Sequence, residues 1–361
     1  MGMGTVIVKA NEPPRPTALE LLEQWLSHSA AKTRDPISAE SEPFYRHFWS
    51  TWMTYLLNRK KEDGVSVAPI EWHQVTAVDV VQFLRTGLEA RKETEGVSDI
   101  TRRRYWRLLQ RIYSFAAERG WVVENPVLDV EREDTPSSED PLGAIMLEPL
   151  WHSALQIVNE LDASDPVLAR NKALLLLLFQ YGITPQEARL LTIGAVTRIA
   201  NPSSRRFGKV ATVQLDGPGP NQRRRLVLTT QVADALDSWL NIRPSFPKAQ
   251  THAILFCTAR NPTMSADNLF ALVKAIMKQA AAVSGTAMPV RMGPQVVRNT
   301  RLVRWLEEGV PAAEVAMRAG LKNIKGLHHL RTHLNPEIRL TLRNMRDDAP
   351  VQMQLPLRLM A

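Results

Sequence analysis

From Thr17 onward the chain has a helical rhythm: Leu19, Leu22, Trp25 and Leu26 recur at three- and four-residue steps, the spacing of one helix face. A second helix is expected from Pro43 to about Lys60, with Phe44, Phe48, Trp52 and Tyr55 on its apolar side. Thr76 with Asp79 three residues on is a hydroxyl cap answered by a carboxylate, which predicts a helix from Val78 to Leu88. Ser98 opens a longer one, Ile100 to Arg119, closed by Gly120. The first 130 residues therefore predict a bundle of four or five helices. The stretch Glu131 to Gly143 (EREDTPSSEDPLG) is acidic, carries Pro and Ser and has almost no apolar residues, so it reads as a linker.

Beyond it the pattern is mixed. Asn171 to Tyr181 is a strongly apolar helix. Val210 to Leu215 and Arg224 to Leu228 are β-forming runs around Asp216-Gly217-Pro218-Gly219, a hairpin signal. Helices return at Val232 to Leu240, Ala266 to Val283, Gln295 to Glu308, Ala312 to Ala319 and Ile338 to Met345. The fold class expected is mainly α with a small β-sheet (α+β). The chain divides into an arm (1–16), a helical domain (17–130), a linker (131–145), a mixed domain (146–335) and a tail (336–361). In the tail Val351, Met353, Leu355, Leu357 and Leu359 alternate with polar or Pro residues. That suits either an edge strand added to another subunit or a segment folded back on its own domain.

Composition narrows the partner. Lys and Arg number 45 against 37 Asp and Glu, a formal charge of +8, which suits a polyanion: nucleic acid first, an anionic membrane second. Cys257 is the single cysteine, so no internal disulfide forms, no cysteine cluster holds a metal, and a reducing cytoplasm is the expected compartment. The N-terminus does not read as a secretory signal, and the longest apolar run, Ala173 to Phe179, is far short of the ~20 residues of a membrane span. A cytoplasmic, nucleoid-associated protein without a membrane segment is the expectation.

Three segments carry a family resemblance. ITRRRYWRLLQRIYSFAAERGWVVENPV looks like the last helix of a core-binding domain, ending in a turn and Asn-Pro. NKALLLLLFQYGITPQEARLL is similar to a first catalytic segment, with Gly182, Ile183, Glu187 and Leu191 in register. PQVVRNTRLVRWLEEGVPAAEVAMRAGLKN is similar to the segment that follows a His-x-x-Arg motif, with Arg298, Leu306, Gly309, Val310 and Gly320 fitting. In their order and spacing they resemble the tyrosine recombinase (phage integrase) family over residues 17 to 335. The resemblance implies a helical core-binding, SAM-like DNA-binding bundle followed by a catalytic-type domain. It also implies phosphoryl transfer by a tyrosine, with two arginines on the scissile phosphate and a His and a Lys moving protons.

Carried over position by position, most of that machinery is missing. Thr184 stands at the first arginine, the hairpin lysine falls near Pro218, Gln295 replaces the histidine of His-x-x-Arg, and Leu321 the following His or Trp. Arg298 keeps the second arginine. The nucleophile position lands on Leu330, and the tyrosines, Tyr45, Tyr55, Tyr105, Tyr113 and Tyr181, all lie before it. His328, His329 and His333 sit close by; imidazole attacks phosphorus, but with the charged groups gone they read as surface or phosphate-contacting residues. No cofactor and no metal site is expected, and the Gly217–Pro220 turn is no phosphate loop, since its prolines remove donors.

What remains is a phosphate grip. Arg102, Arg103, Arg104, Arg107 and Arg111 mark one helix, with Arg103, Arg107 and Arg111 nearly in line and no acid among them. Arg205, Arg206, Lys209, Arg223, Arg224 and Arg225 bracket the hairpin, and Arg298, Arg301 and Arg304 climb a single helix. Two basic sets on two linked domains suggest a clamp on double-stranded DNA. The leading expectation is a non-cleaving DNA-binding protein, an accessory or regulatory factor of a mobile element, acting as a homo-oligomer on DNA or beside an active recombinase. The alternatives are an active recombinase whose site is displaced or completed by a partner, and a protein adaptor of a true recombinase.

Overall fold

The computed structural model describes residues 15–31, 37, 41–59, 68–88, 97–130, 142–217 and 222–344. By contacts the chain falls into two units, Met1–Asp140 and Pro141–Ala361.

In the first unit α1 (Ala18–Ala30) starts where Thr17 and Glu20 form a reciprocal capping box. Helix α2 spans Glu42–Leu57, and α3, Ala77–Gln82, starts at the expected Thr76–Asp79 box. The run continues as a wider π turn, Phe83–Gly87. A Cβ on Gly87 would stand 2.6–2.8 Å from the rings of Tyr55 and Phe83, so the turn closes only on glycine. Helix α4 (Asp99–Glu118) is capped by Ser98, and Gly120 follows it at φ +71°. The core is aromatic. Trp52 is fully buried, its indole N–H donates to the Tyr113 hydroxyl (3.3 Å), and that hydroxyl donates to the Trp72 carbonyl (2.9 Å). Two expected core positions differ. Leu19 and Phe44 are each 64% exposed, while Leu21 on α1 and Trp49 on α2 are buried in their place. Both lie in the first turn of their helix, and the position of the core, which local spacing does not fix, leaves them on its outer side.

The second unit centres on α6 (Pro166–Tyr181), buried from Ala173 to Phe179. It starts five residues earlier than its apolar stretch, because Asp165 caps it and Pro166 takes the first position. Two further helices, α5 (Glu148–Glu160) and α7 (Pro185–Leu190), were not anticipated, although each carries a proline at its start. The sheet has the order β1 (Val196–Arg198), β2 (Val210–Leu215), β3 (Arg224–Val227), all antiparallel. The β2–β3 hairpin forms where the pattern predicts it, with Val213 paired to Leu226; Pro218 lies outside the described residues. Helices α8 (Thr230–Ile242), α9 (Ala266–Ser284), α10 (Pro294–Glu307) and α11 (Ala312–Arg318) follow close to their expected bounds. A 3-10 run, Ile324–His333, and α12 (Pro336–Asn344) complete the described chain. Ile338 of α12 packs on the α10–α11 cluster, and the string from Met345 lies outside the described residues. Residues 143–145, expected in the linker, belong to this unit: the Gly143 amide donates to the His329 carbonyl (2.8 Å) and Asn299 Nδ2 to the Ala144 carbonyl (3.2 Å). Among the described residues no helix is long and apolar enough to cross a membrane.

Replacing Trp52 by Ala removes the largest fully buried side chain of the first unit and the indole donor of Tyr113. Urea unfolding should show a loss of about 3–5 kcal/mol, and a loss below 1 kcal/mol would contradict this packing.

Candidate nucleic-acid interface

On α4 the apolar positions Tyr105, Leu108, Leu109, Ile112 and Tyr113 fix which arginines face outward. Arg103, expected in the outward line, is 7% exposed and lies with the buried face. Its place is taken by Arg104: Arg104, Arg107 and Arg111, three and four residues apart, are all exposed and form the outward row. The side chains of Arg104 and Arg107 make no hydrogen bond or ion pair among the described residues. Arg102 instead turns to Asp99 (3.2 Å). Beside the row runs a groove of about 400 Å³ whose walls include Phe44, Tyr45 and Phe48 of α2 and which no acidic side chain lines among the described residues.

In the second unit Thr184 and Arg298, two of the positions the resemblance marks, lie around the same carboxylate, Glu187. Gly182, at φ +54°, ends α6 and turns the chain into α7. Thr184, at the first arginine position, caps α7: its hydroxyl accepts from the Glu187 amide (3.1 Å) and Glu187 accepts from the Thr184 amide (2.7 Å). Glu187 is gripped by both terminal nitrogens of Arg224, at 2.5 and 3.1 Å. Arg224 also donates its Nε to the Arg318 carbonyl (2.8 Å), so it is a brace between β3 and α11 and does not face solvent as expected. Arg298, the retained arginine, is 4% exposed and donates to the carbonyls of Gly182 and Ala319. Burial pulls its pKa down to about 10, with the nearby Glu187 carboxylate opposing the fall. It stays charged at neutral pH, but it is a buried strut and not a surface phosphate contact.

The remaining positions follow suit. Gln295 is exposed and donates to Asn299 Oδ1 (2.9 Å), and a ring nitrogen of His329 lies 3.3 Å from the same oxygen. His333 Nε2 is 2.5 Å from the Gly143 carbonyl. Asn299, which sequence reasoning passed over, is thus the hub of this corner; its position one turn beyond Gln295 was the available signal. Leu321 packs on the α10–α11 cluster, and Leu330, where the resemblance puts the nucleophile, is fully buried in it.

The other expected arginines divide. Arg301 donates to the Gln180 carbonyl (3.1 Å), pairs with Glu308 (3.2 Å) and lies over Trp305; Arg304 pairs with Glu148 (3.6 Å) and lies over Trp151. The α10 ladder of Arg298, Arg301 and Arg304 is therefore structural, because α10 is nearly surrounded by its own unit. Arg206 pairs with Asp234 (2.7 Å) and Arg223 approaches Asp216 (3.4 Å). Arg205, Lys209 and Arg225 remain exposed around the sheet. Among the described residues no cluster of three or more His, Cys, Asp or Glu is placed to hold a metal ion.

No protein-family model and no curated protein matches the sequence. Solved structures do. The chain is similar to XerH site-specific recombinase bound to its difH substrate (16% identity, TM-score 0.60, covering 87% of this chain and 81% of that one). It is equally similar to the Tn1549 transposon integrase in complex with a circular intermediate DNA (16%, TM-score 0.60, 87% and 94%). A lambda integrase dimer bound to a COC' core site matches more distantly (10%, TM-score 0.51, 93% and 99%). The chain has the fold of the tyrosine recombinases, mostly helical with a small antiparallel sheet.

The Glu187 cluster makes a testable demand. Burial pushes this carboxyl up, but the Arg224 hydrogen bonds and charge, the Thr184 amide and the Arg298 charge outweigh it and leave it below the ordinary glutamate value. A depressed carboxylate contributes stability that is complete above its unfolded pKa and is lost as pH falls through the folded one. Glu187→Ala, which strands two cations, should cost about 3–5 kcal/mol at pH 7, whereas Arg205→Ala should leave the melting temperature unchanged. Glu187→Gln should flatten the acid limb of the stability curve; a limb as steep as in the wild type would refute this assignment.

Proposed function

We propose that the protein binds duplex DNA through the outward arginine row of α4 and holds it without cutting it. The row carries the reading: three guanidiniums on consecutive turns, backed by a packed apolar face and with no acid lining the adjoining groove among the described residues, suit contact with a phosphate backbone. Residues 17–130 act as the core-binding domain, and Arg205, Lys209 and Arg225 add phosphate contacts from the second domain, 146–335. The DNA complexes of the XerH recombinase and the Tn1549 integrase, which share the fold, support a DNA partner. The missing cleavage follows from Leu330 in the core, from Arg298 and Arg224 committed to internal partners, and from the lack of any tyrosine after Tyr181. The role that fits is an accessory or regulatory factor of a mobile element in the cytoplasm, at the nucleoid, working as a homo-oligomer on DNA or beside an active recombinase.

Fluorescence anisotropy on a labelled duplex over a salt series tests the DNA face. The wild type should show a steep loss of affinity with salt. The triple variant Arg104→Ala, Arg107→Ala, Arg111→Ala should lower the log–log slope by about one unit per contact removed, with unchanged circular dichroism. Arg103→Ala should act on stability and leave the slope alone. An unchanged slope in the triple variant would remove α4 as the DNA face.

A further inference from the structure

We propose that the groove beside α4 takes an unpaired nucleotide: one base stacks on Phe44 while Arg104 and Arg107 hold its flanking phosphates. The inference rests on the DNA-binding reading above and adds a specificity that phosphate contacts alone do not give. Phe44 is a large aromatic ring at the start of α2, 64% exposed, and it makes no ring contact among the described residues. The other aromatics of the groove are already engaged: Tyr45 meets Trp25 edge-on at 5.4 Å, and Phe48 lies 4.5 Å from Tyr105. The groove is therefore lined by a bare ring together with the guanidiniums of Arg104 and Arg107. Trp49, Trp52 and Leu56 supply the buried side of α2, so the ring of Phe44 is left facing the groove.

The chemistry of the groove selects among ligands. At about 400 Å³ it has room for a base and its sugar but not for a helix or a base pair lying flat. Cations beside an aromatic wall favour a ligand that is anionic and planar at once, and an unpaired nucleotide is both. A fully paired duplex offers phosphates to the arginines but keeps its base faces stacked inside. The groove thus favours DNA with a gap, a flap or a displaced base over the same sequence fully paired.

The full-length protein should be titrated with three duplexes of one sequence: fully paired, with a one-nucleotide bulge, and with a short single-stranded gap. Each unpaired site carries 2-aminopurine, whose fluorescence falls when it stacks. The wild type should bind the gapped and bulged duplexes about tenfold tighter than the paired one, with quenching. Phe44→Ala should lose that preference and the quenching while binding the paired duplex as before, and Phe44→Trp should restore both. The idea is overturned if the wild type shows no preference, or if Phe44→Ala leaves the preference intact or weakens all three duplexes equally. Loss of binding to every duplex by the wild type would instead refute the DNA-binding function itself.

Discussion

Arg298 joins three pieces of chain that are distant in sequence. From α10 its guanidinium reaches the Gly182 carbonyl at the end of α6 and the Ala319 carbonyl at the end of α11. Its charge also lies near Glu187 at the start of α7, which Arg224 clasps from β3. A buried guanidinium is tolerated only when its donors are met, and here helix-end carbonyls that have no intrahelical partner meet them. The same contacts that satisfy the charge therefore set the α6–α7 turn and hold α11 and β3 against it. Any phosphate entering here would have to compete with these partners for the same nitrogens.

Arginine usage elsewhere in the second unit extends this pattern. Arg243 donates to the carbonyls of Ala249, His252 and Ile254, Arg170 to that of Cys257, and Arg189 to that of Met264. These guanidiniums tie loops to helices. Much of the arginine content of this unit therefore faces inward and does not add to its cationic surface. In the first unit α4 presents its arginines differently. Tyr105, Leu108, Leu109 and Ile112 occupy the inner face, and Arg104, Arg107 and Arg111 are left on the outer one.

The parts legible in the sequence were those set by local rules. The capping residues Thr76 and Ser98, the apolar run of α6, the β2–β3 hairpin and the glycine stops all read correctly, because each depends on a few neighbouring residues. The order of motifs gave the fold for the same reason. Helix phase was less legible. Arg103 and Arg104 are adjacent in sequence, and only the position of the core decides which is buried. Leu19 and Phe44 were misplaced by the same ambiguity. The internal roles of Arg224 and Arg298 were hidden because their partners, Glu187, Arg318, Gly182 and Ala319, are brought close only by the folded chain. The hub at Asn299 depended on contacts with Ala144 and His329, far away in the sequence.

We propose that this chain, with the fold of the tyrosine recombinases, holds DNA without cutting it, since Arg298 and Arg224 are committed to internal partners. The most direct measurement incubates the protein with a duplex carrying a bridging phosphorothiolate, which traps any covalent protein–DNA link, and resolves the products under denaturing conditions. A retarded complex on a native gel and no covalent adduct on the denaturing one are expected. A denaturation-resistant adduct, lost on replacing His328 or His329 with Ala, would contradict the proposal.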